Sequence, residues 1–266
     1  MNILEQIIAH KKNEVAERET LYPAKLLERS LHFKAPTVSL SNYITRKDKS
    51  GIIAEIKRKS PSKGIINKYA SIEKTSIGYM QAGASALSVL TDELFFGGQN
   101  SDLTIARKYN YCPILRKDFI INEYQVIEAR SIGADAILLI ASVLPAQRIK
   151  EIARFARSFQ LEVILEIHSR KELKAINPFI DIIGVNNRDL STFKTDFKNS
   201  IDLLPYLPSD FVKISESGIT TPHIASELID AGYDGLLIGE QFMRNSLPER
   251  SCGDFIKQLK QPVHEN

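Results

Sequence analysis

Apolar positions along this chain change their period near residue 50. Ahead of it, Ile3, Leu4, Ile7, Ile8 and Val15 recur at helical intervals, which predicts an amphipathic helix over residues 3–18. Residues 20–48 are irregular, broken by Pro23 and Pro36, with room only for short helical pieces. Beyond them come short β-branched apolar runs, each followed by a polar loop and a helical segment. They are Ile52–Lys57, Ala86–Leu90, Ile114–Lys117, Ala136–Ile140, Glu162–Glu166, Ile180–Val185, Val212–Ser215 and Gly235–Ile238.

Eight such runs, one strand-plus-helix unit apart, predict an α/β protein with a parallel sheet. The helical segments end alike: Ala82-Gly83-Ala84, Ile132-Gly133-Ala134 and Ala231-Gly232-Tyr233 each place a glycine at the helix end just before the next run. A doubly wound open sheet alternates in the same way, but it would be expected to carry a glycine-rich dinucleotide loop after its first strand, and none is present. The reading is therefore a (β/α)8 TIM barrel over residues 49–255, with an extra N-terminal helical segment over 1–48. Together they form one domain spanning 1–266.

Composition narrows the function. With 35 basic and 32 acidic residues the net charge is +3, too small and too dispersed to predict a nucleic-acid partner. The run Lys57-Arg58-Lys59 is the exception. No apolar stretch is long enough to span a membrane, and charges within the first dozen residues exclude a secretory h-region. Cys112 and Cys252 have neither metal nor redox spacing, so a cytoplasmic protein without a metal site is expected. The absence of heptads and sticky strands suggests a monomer.

In a barrel of this kind chemistry sits at the C-terminal ends of the strands. The first run ends Ala54-Glu55-Ile56-Lys57, and a period of two puts Glu55 and Lys57 on one face. If Ala54 and Ile56 face the helices, both charges point into the barrel, where they need each other or a ligand. The plainer reading is an ion pair at the rim. Lys117, Glu166 and Glu216 end the third, fifth and seventh runs in the same manner. Two cations among three carboxylates can give and take protons near neutrality. His168, just past the fifth run, is an acid-base candidate by type, but its place beyond the strand favours a loop histidine. Ser217-Gly218 and Gly239-Glu240 follow the seventh and eighth runs, where barrels commonly bind phosphate through backbone N–H groups. Ser60 and Arg188 could add a hydroxyl and a positive charge. Phe96, Phe119 and Leu139 are expected as apolar wall residues.

These residues fall in motifs that resemble the indole-3-glycerol phosphate synthase family. The likeness starts at Ile53-Ala54-Glu55-Ile56-Lys57-Arg58-Lys59-Ser60-Pro61-Ser62-Lys63-Gly64. It continues through Leu90-Thr91-Asp92, Phe96-Gly97-Gly98, Leu115-Arg116-Lys117-Asp118-Phe119-Ile120 and Leu165-Glu166-Ile167-His168. It ends with Ile183-Gly184-Val185-Asn186-Asn187-Arg188-Asp189-Leu190, Ser215-Glu216-Ser217-Gly218-Ile219 and Leu237-Ile238-Gly239-Glu240. Gln99 departs from the serine usual in the family's loop. The resemblance implies cofactor-free ring closure of 1-(2-carboxyphenylamino)-1-deoxyribulose 5-phosphate to indole-3-glycerol phosphate, in tryptophan biosynthesis. It implies Lys117 as general acid, Lys57 on the substrate carboxylate and Glu166 as its partner in dehydration. Glu55 and Glu216 would tune the lysines and Asn186 would bind substrate. Phosphate would rest on Ser60, Arg188, Ser217, Gly218, Gly239 and Glu240. A phosphoribosylanthranilate isomerase would need a cysteine that the first run lacks. A merely ligand-binding barrel would have no need of Glu55, Lys57, Lys117 and Glu166 together.

Overall fold

A computed structural model describes residues 2–189 and 192–260; Leu190, named above, lies outside them. Eight parallel strands close into a barrel: β1 (Ile52–Ile56), β2 (Ala86–Leu90), β3 (Ile114–Lys117), β4 (Ala136–Ile140), β5 (Glu162–Ile167), β6 (Ile182–Asn186), β7 (Val212–Glu216) and β8 (Gly235–Ile238). Neighbours in sequence are neighbours in space, and β1 pairs with β8 to complete the ring (Ile52 opposite Leu236, Ala54 opposite Ile238). Strand ends differ from the sequence reading by one or two residues. β1 stops at Ile56, β6 starts at Ile182 and β7 reaches Glu216.

The alternation of each strand sorts its residues into two layers. Ile52, Ala54, Ile56, Leu87, Val89, Ile137 and Leu139 pack outward against the helices. Ile53, Ala86, Leu115, Ala136, Leu138, Ile164, Ile182, Ile214 and Leu237 fill the barrel interior, as the layered core of such a barrel requires. Leu40 and Ile44, on the short helix Leu40–Thr45, belong to the inner cluster and stopper its N-terminal end. A Cβ at Gly235 would stand 2.6 Å from Ile44 Cγ2.

The N-terminal helix α1 runs Ile3–Leu21, three residues beyond the predicted end. Asn2 caps it reciprocally: its Oδ1 accepts from Glu5 N at 2.9 Å, and Glu5 Oε2 accepts from Asn2 N at 3.0 Å. Its buried stripe is Ile7, Lys11 and Val15. A lysine in that stripe needs partners, and Lys11 has three carboxylates, Glu14, Asp92 and Asp118, at 2.9–3.0 Å.

One unit is abbreviated. After β5 the chain makes only a 3-10 segment, Arg170–Ala175, where the other units carry longer helices or helical pairs. Among the described residues no helix is long and apolar enough to cross a membrane.

Candidate active site

The strand ends surround a cavity of about 480 Å³, within the size range of small-ligand sites. Glu55, Lys57, Lys117, Glu166, Asn186 and Glu216 all line it. Glu55 and Lys57 do share the inward face, with Ala54 and Ile56 against the helices. Lys57 Nζ hydrogen-bonds Glu55 Oε1. The basic run divides by the same alternation. Arg58 turns away from the cavity, and its NH2 donates to Asp102 Oδ1 at 3.0 Å. It braces the loop after β1 on the helix Asn100–Tyr109.

Lys117 stands at the centre. Its Nζ donates to Glu166 Oε2 at 3.1 Å and lies 3.2 Å from Glu216 Oε2. Burial alone would lower its pKa, but Glu166, Glu216 and Glu55 outweigh that effect and raise it above the usual lysine range. The two carboxyls beside it are driven apart. Burial pushes Glu216 up to about 7 against the pull of Lys117, and Glu166 and Glu55 add to the rise. Glu166 is held below its usual value, because Lys117, His168 and Asn186 overcome its burial. The pocket thus holds a charged lysine, an ionised carboxylate and a carboxyl that can keep its proton at neutrality. Glycine makes room for two of the cavity's carboxylates, Glu216 and Glu55. A Cβ at Gly184 would meet Glu216 Oε1 at 2.3 Å, and one at Gly239 would meet Glu55 Oε1 at 2.4 Å.

One side of the rim gathers the residues expected to meet a phosphate. Ser60, Arg188, Ser217, Gly218, Gly239 and Glu240 all line the cavity. Ser217 and Gly218 are both left-handed, at φ +67° and +75°, and a serine there is strained unless its surroundings hold it. Asn187 does so. Its Nδ2 donates to Ser217 O at 3.0 Å and to Ser215 Oγ at 2.9 Å, while its Oδ1 accepts from Ser200 N at 3.0 Å. Arg188 donates through NH1 to Ser62 Oγ at 3.0 Å and through NH2 to Glu240 Oε2 at 3.2 Å. Lys63 Nζ lies 3.8 Å from the other oxygen of Glu240. The Glu240 carboxylate is therefore neutralised from both sides.

The aromatic wall is only partly as expected. Phe96 and Phe119 line the cavity with ring centroids 5.9 Å apart. Leu139 does not: it is fully buried in the outer layer against the helices, and its neighbours Leu138 and Ile140 face the cavity instead. The run Ala136–Ile140 is apolar throughout, so its alternation carries no polar mark of which face is inward. Pairing supplies one, because Ile140 is in register with the inward Glu166. The sequence reading also missed Ile3, Leu4 and Ile7, through which α1 lies over the site. Gln99 does not line the cavity; its backbone N–H donates to Asp102 Oδ2 at 3.1 Å.

A family model described as indole-3-glycerol phosphate synthase matches residues 4–256. A relative of that name from Bacteroides thetaiotaomicron is 46% identical over 259 residues, covering 97% of this chain and 99% of its own. Another from Thermoanaerobacter pseudethanolicus is 39% identical and covers 97% and 98%. Among solved structures, the tryptophan synthase alpha subunit of Legionella pneumophila superposes with a TM-score of 0.61 at 14% identity. That match covers 84% of this chain and 97% of the other, and speaks to the barrel alone. Strand-end residues, cavity and near full-length likeness agree: the chain belongs to the indole-3-glycerol phosphate synthase family.

Proposed function

We propose that this cavity closes the indole ring of 1-(2-carboxyphenylamino)-1-deoxyribulose 5-phosphate, releasing carbon dioxide and water to give indole-3-glycerol phosphate. The observation that carries the reading is Lys117 Nζ between Glu166 and Glu216, 3.1 and 3.2 Å away, in a cavity whose rim can take an anion. The phosphate would sit at the Ser217-Gly218 and Gly239-Glu240 loops beside Ser60 and Arg188, and the aromatic ring between Phe96, Phe119, Leu138 and Ile140. Lys57 would hold the substrate carboxylate, and Asn186 its hydroxyls.

Ring closure requires the ring carbon that bears the carboxylate to attack the ketone carbon. Negative charge then builds on the ketone oxygen. Lys117, kept protonated by its carboxylates, donates a proton there as the bond forms. Loss of carbon dioxide returns the bonding electrons to the ring. The new hydroxyl then leaves as water, with a proton supplied by a neighbouring acid, while Glu166, ionised, takes a proton from the methylene carbon next to the ring nitrogen, so that the carbon–carbon double bond of the indole forms. Glu55 and Glu216 set the charge of the two lysines. The same reading has the enzyme working as a cytoplasmic monomer without a cofactor. Cys112 and Cys252, both buried and free, suit a reducing compartment.

The test is direct. Purified protein given the carboxyphenylamino-deoxyribulose phosphate should develop indole fluorescence and release one carbon dioxide per indole formed. A protein that binds the substrate and leaves it unchanged would refute the assignment.

A further inference from the structure

His168 follows β5 directly, and the alternation that turns Ile164 and Glu166 inward continues to it. Its side chain is only 15% exposed and does not line the cavity, whereas Glu166 does. Nε2 lies 3.5 Å from Glu166 Oε1, and Nδ1 lies 3.6 Å from Glu172 Oε2. Glu172 belongs to the abbreviated segment Arg170–Ala175, which folds it back over the ring. There it accepts the backbone N–H of His168 at 2.5 Å. From the other side Asn199 Nδ2 donates to His168 O and to Asn186 O, at 3.3 Å each.

Each ring nitrogen therefore lies within ion-pair distance of a carboxylate oxygen, and neither makes a hydrogen bond. A neutral imidazole has one N–H and one lone pair, so either tautomer would set a lone pair against a carboxylate oxygen. Only the imidazolium presents a donor to both. The side chains then form a row of alternating charge, Glu172, His168, Glu166, Lys117 and Glu216. Within it Glu166 has one oxygen toward His168 and the other bonded to Lys117.

We propose that His168 is a positioning residue for the reaction: as a cation braced by Glu172, it fixes Glu166 as an ionised carboxylate turned toward Lys117. This rests on the catalytic reading of Glu166 given above. The charged groups facing the ring are Glu166 on its own strand, Glu172 on the 3-10 segment and Glu216 on β7, with Lys117 of β3 beyond Glu166; Asn199, on helix Lys198–Leu203, adds a neutral amide. Burial would lower the imidazole pKa, but Glu172, Glu166 and Glu216 raise it above its usual value. The balance agrees with the geometry.

The sign of the effect is fixed. A cation beside Glu166 lowers its pKa, so removing the cation raises it, and the acid limb of activity moves to higher pH. In the full-length enzyme, His168→Gln should move the acid limb of kcat/KM upward by about one unit, an approximately tenfold loss of rate below the limb, with KM little changed. Glu172→Gln, which leaves the ring in place, should lower the His168 pKa followed by NMR of the imidazole and shift the limb in the same direction. A folded His168→Gln enzyme with an unmoved limb would overturn the proposal, as would a wild-type ring that titrates at or below 6.5. If His168→Gln does not fold, Glu172→Gln and the ring titration decide the matter. If Glu166→Gln retains full turnover, the catalytic reading of Glu166 fails instead. The ring titration then still decides whether His168 is the cation beside that carboxylate.

Discussion

At Lys117 two opposing effects act on one ammonium. Burial favours the neutral amine, while Glu166, Glu216 and Glu55 favour the cation and prevail. A group held charged in the resting enzyme contributes most when negative charge appears on the substrate, which is in the transition state. Lys117→Ala should therefore lower kcat by about 10²- to 10⁴-fold or more while KM changes much less. Steady-state indole formation measures both, and a variant with near-normal kcat would remove Lys117 from the mechanism. At this scale the sequence was legible wherever a charge broke an apolar run. Glu55, Lys57, Lys117, Glu166 and Glu216 each mark the inward face of a strand, and all five reach the cavity. Leu139 was placed wrongly because Ala136–Ile140 holds no such mark. His168 could be seen but not interpreted, because its meaning depends on Glu172 folding back over it.

Elements were easier to read than their neighbours in space. All eight strands were visible because a buried parallel strand is a short β-branched run. The shortening of the fifth unit to Arg170–Ala175 was not, because a 3-10 segment has no long apolar period to show. The loop after β7 gives this scale its prediction. Gly218 sits at φ +75°, and a Cβ there would also stand 2.6 Å from Thr195 Cγ2. Gly218→Val forces a β-branched residue into a left-handed conformation at a cost of about 1–3 kcal/mol. The loop should then relax away from the geometry that meets the anion. KM should rise by at least about tenfold, with inhibition by inorganic phosphate weakened in proportion, because a lost charge-assisted contact is worth about 1.5–3 kcal/mol. Phosphate inhibition equal to that of the wild type would place the anion elsewhere in the cavity.

Across the whole molecule, α1 is joined to the barrel by charge as well as by apolar contact. Lys11 Nζ sits between Asp92, after β2, and Asp118, after β3, at 2.9 and 3.0 Å, and Asp118 follows Lys117 in the chain. Arg116 reaches the other oxygen of Asp118 at 3.2 Å and also pairs with Glu128 at 2.5 Å, and Arg18 of α1 meets Glu128 at 2.5 Å. One buried network thus fixes both the helix whose Ile3, Leu4 and Ile7 cover the cavity and the strand end that presents Lys117 to it. Lys11→Met keeps the length of the side chain and leaves Asp92 and Asp118 buried beside one cation fewer. Loss of one partner from such a network should destabilise the fold by about 3–5 kcal/mol at neutral pH and raise KM as α1 loosens. The pH dependence follows from Asp118. Its carboxyl is held far below 3.8, because Lys11 and Arg116 outweigh burial. The stability it contributes is therefore complete above 3.8 and lost as pH falls toward the depressed folded value. Urea unfolding of wild type and Lys11→Met at a series of pH values should show the gap at full size at pH 7. It should narrow below about 3.8, as wild-type Asp118 loses the benefit that Lys11 provides. A gap of constant size down to pH 2 would mean that Lys11 stabilises the fold by packing alone, and that α1 is held over the site by its apolar residues rather than by charge.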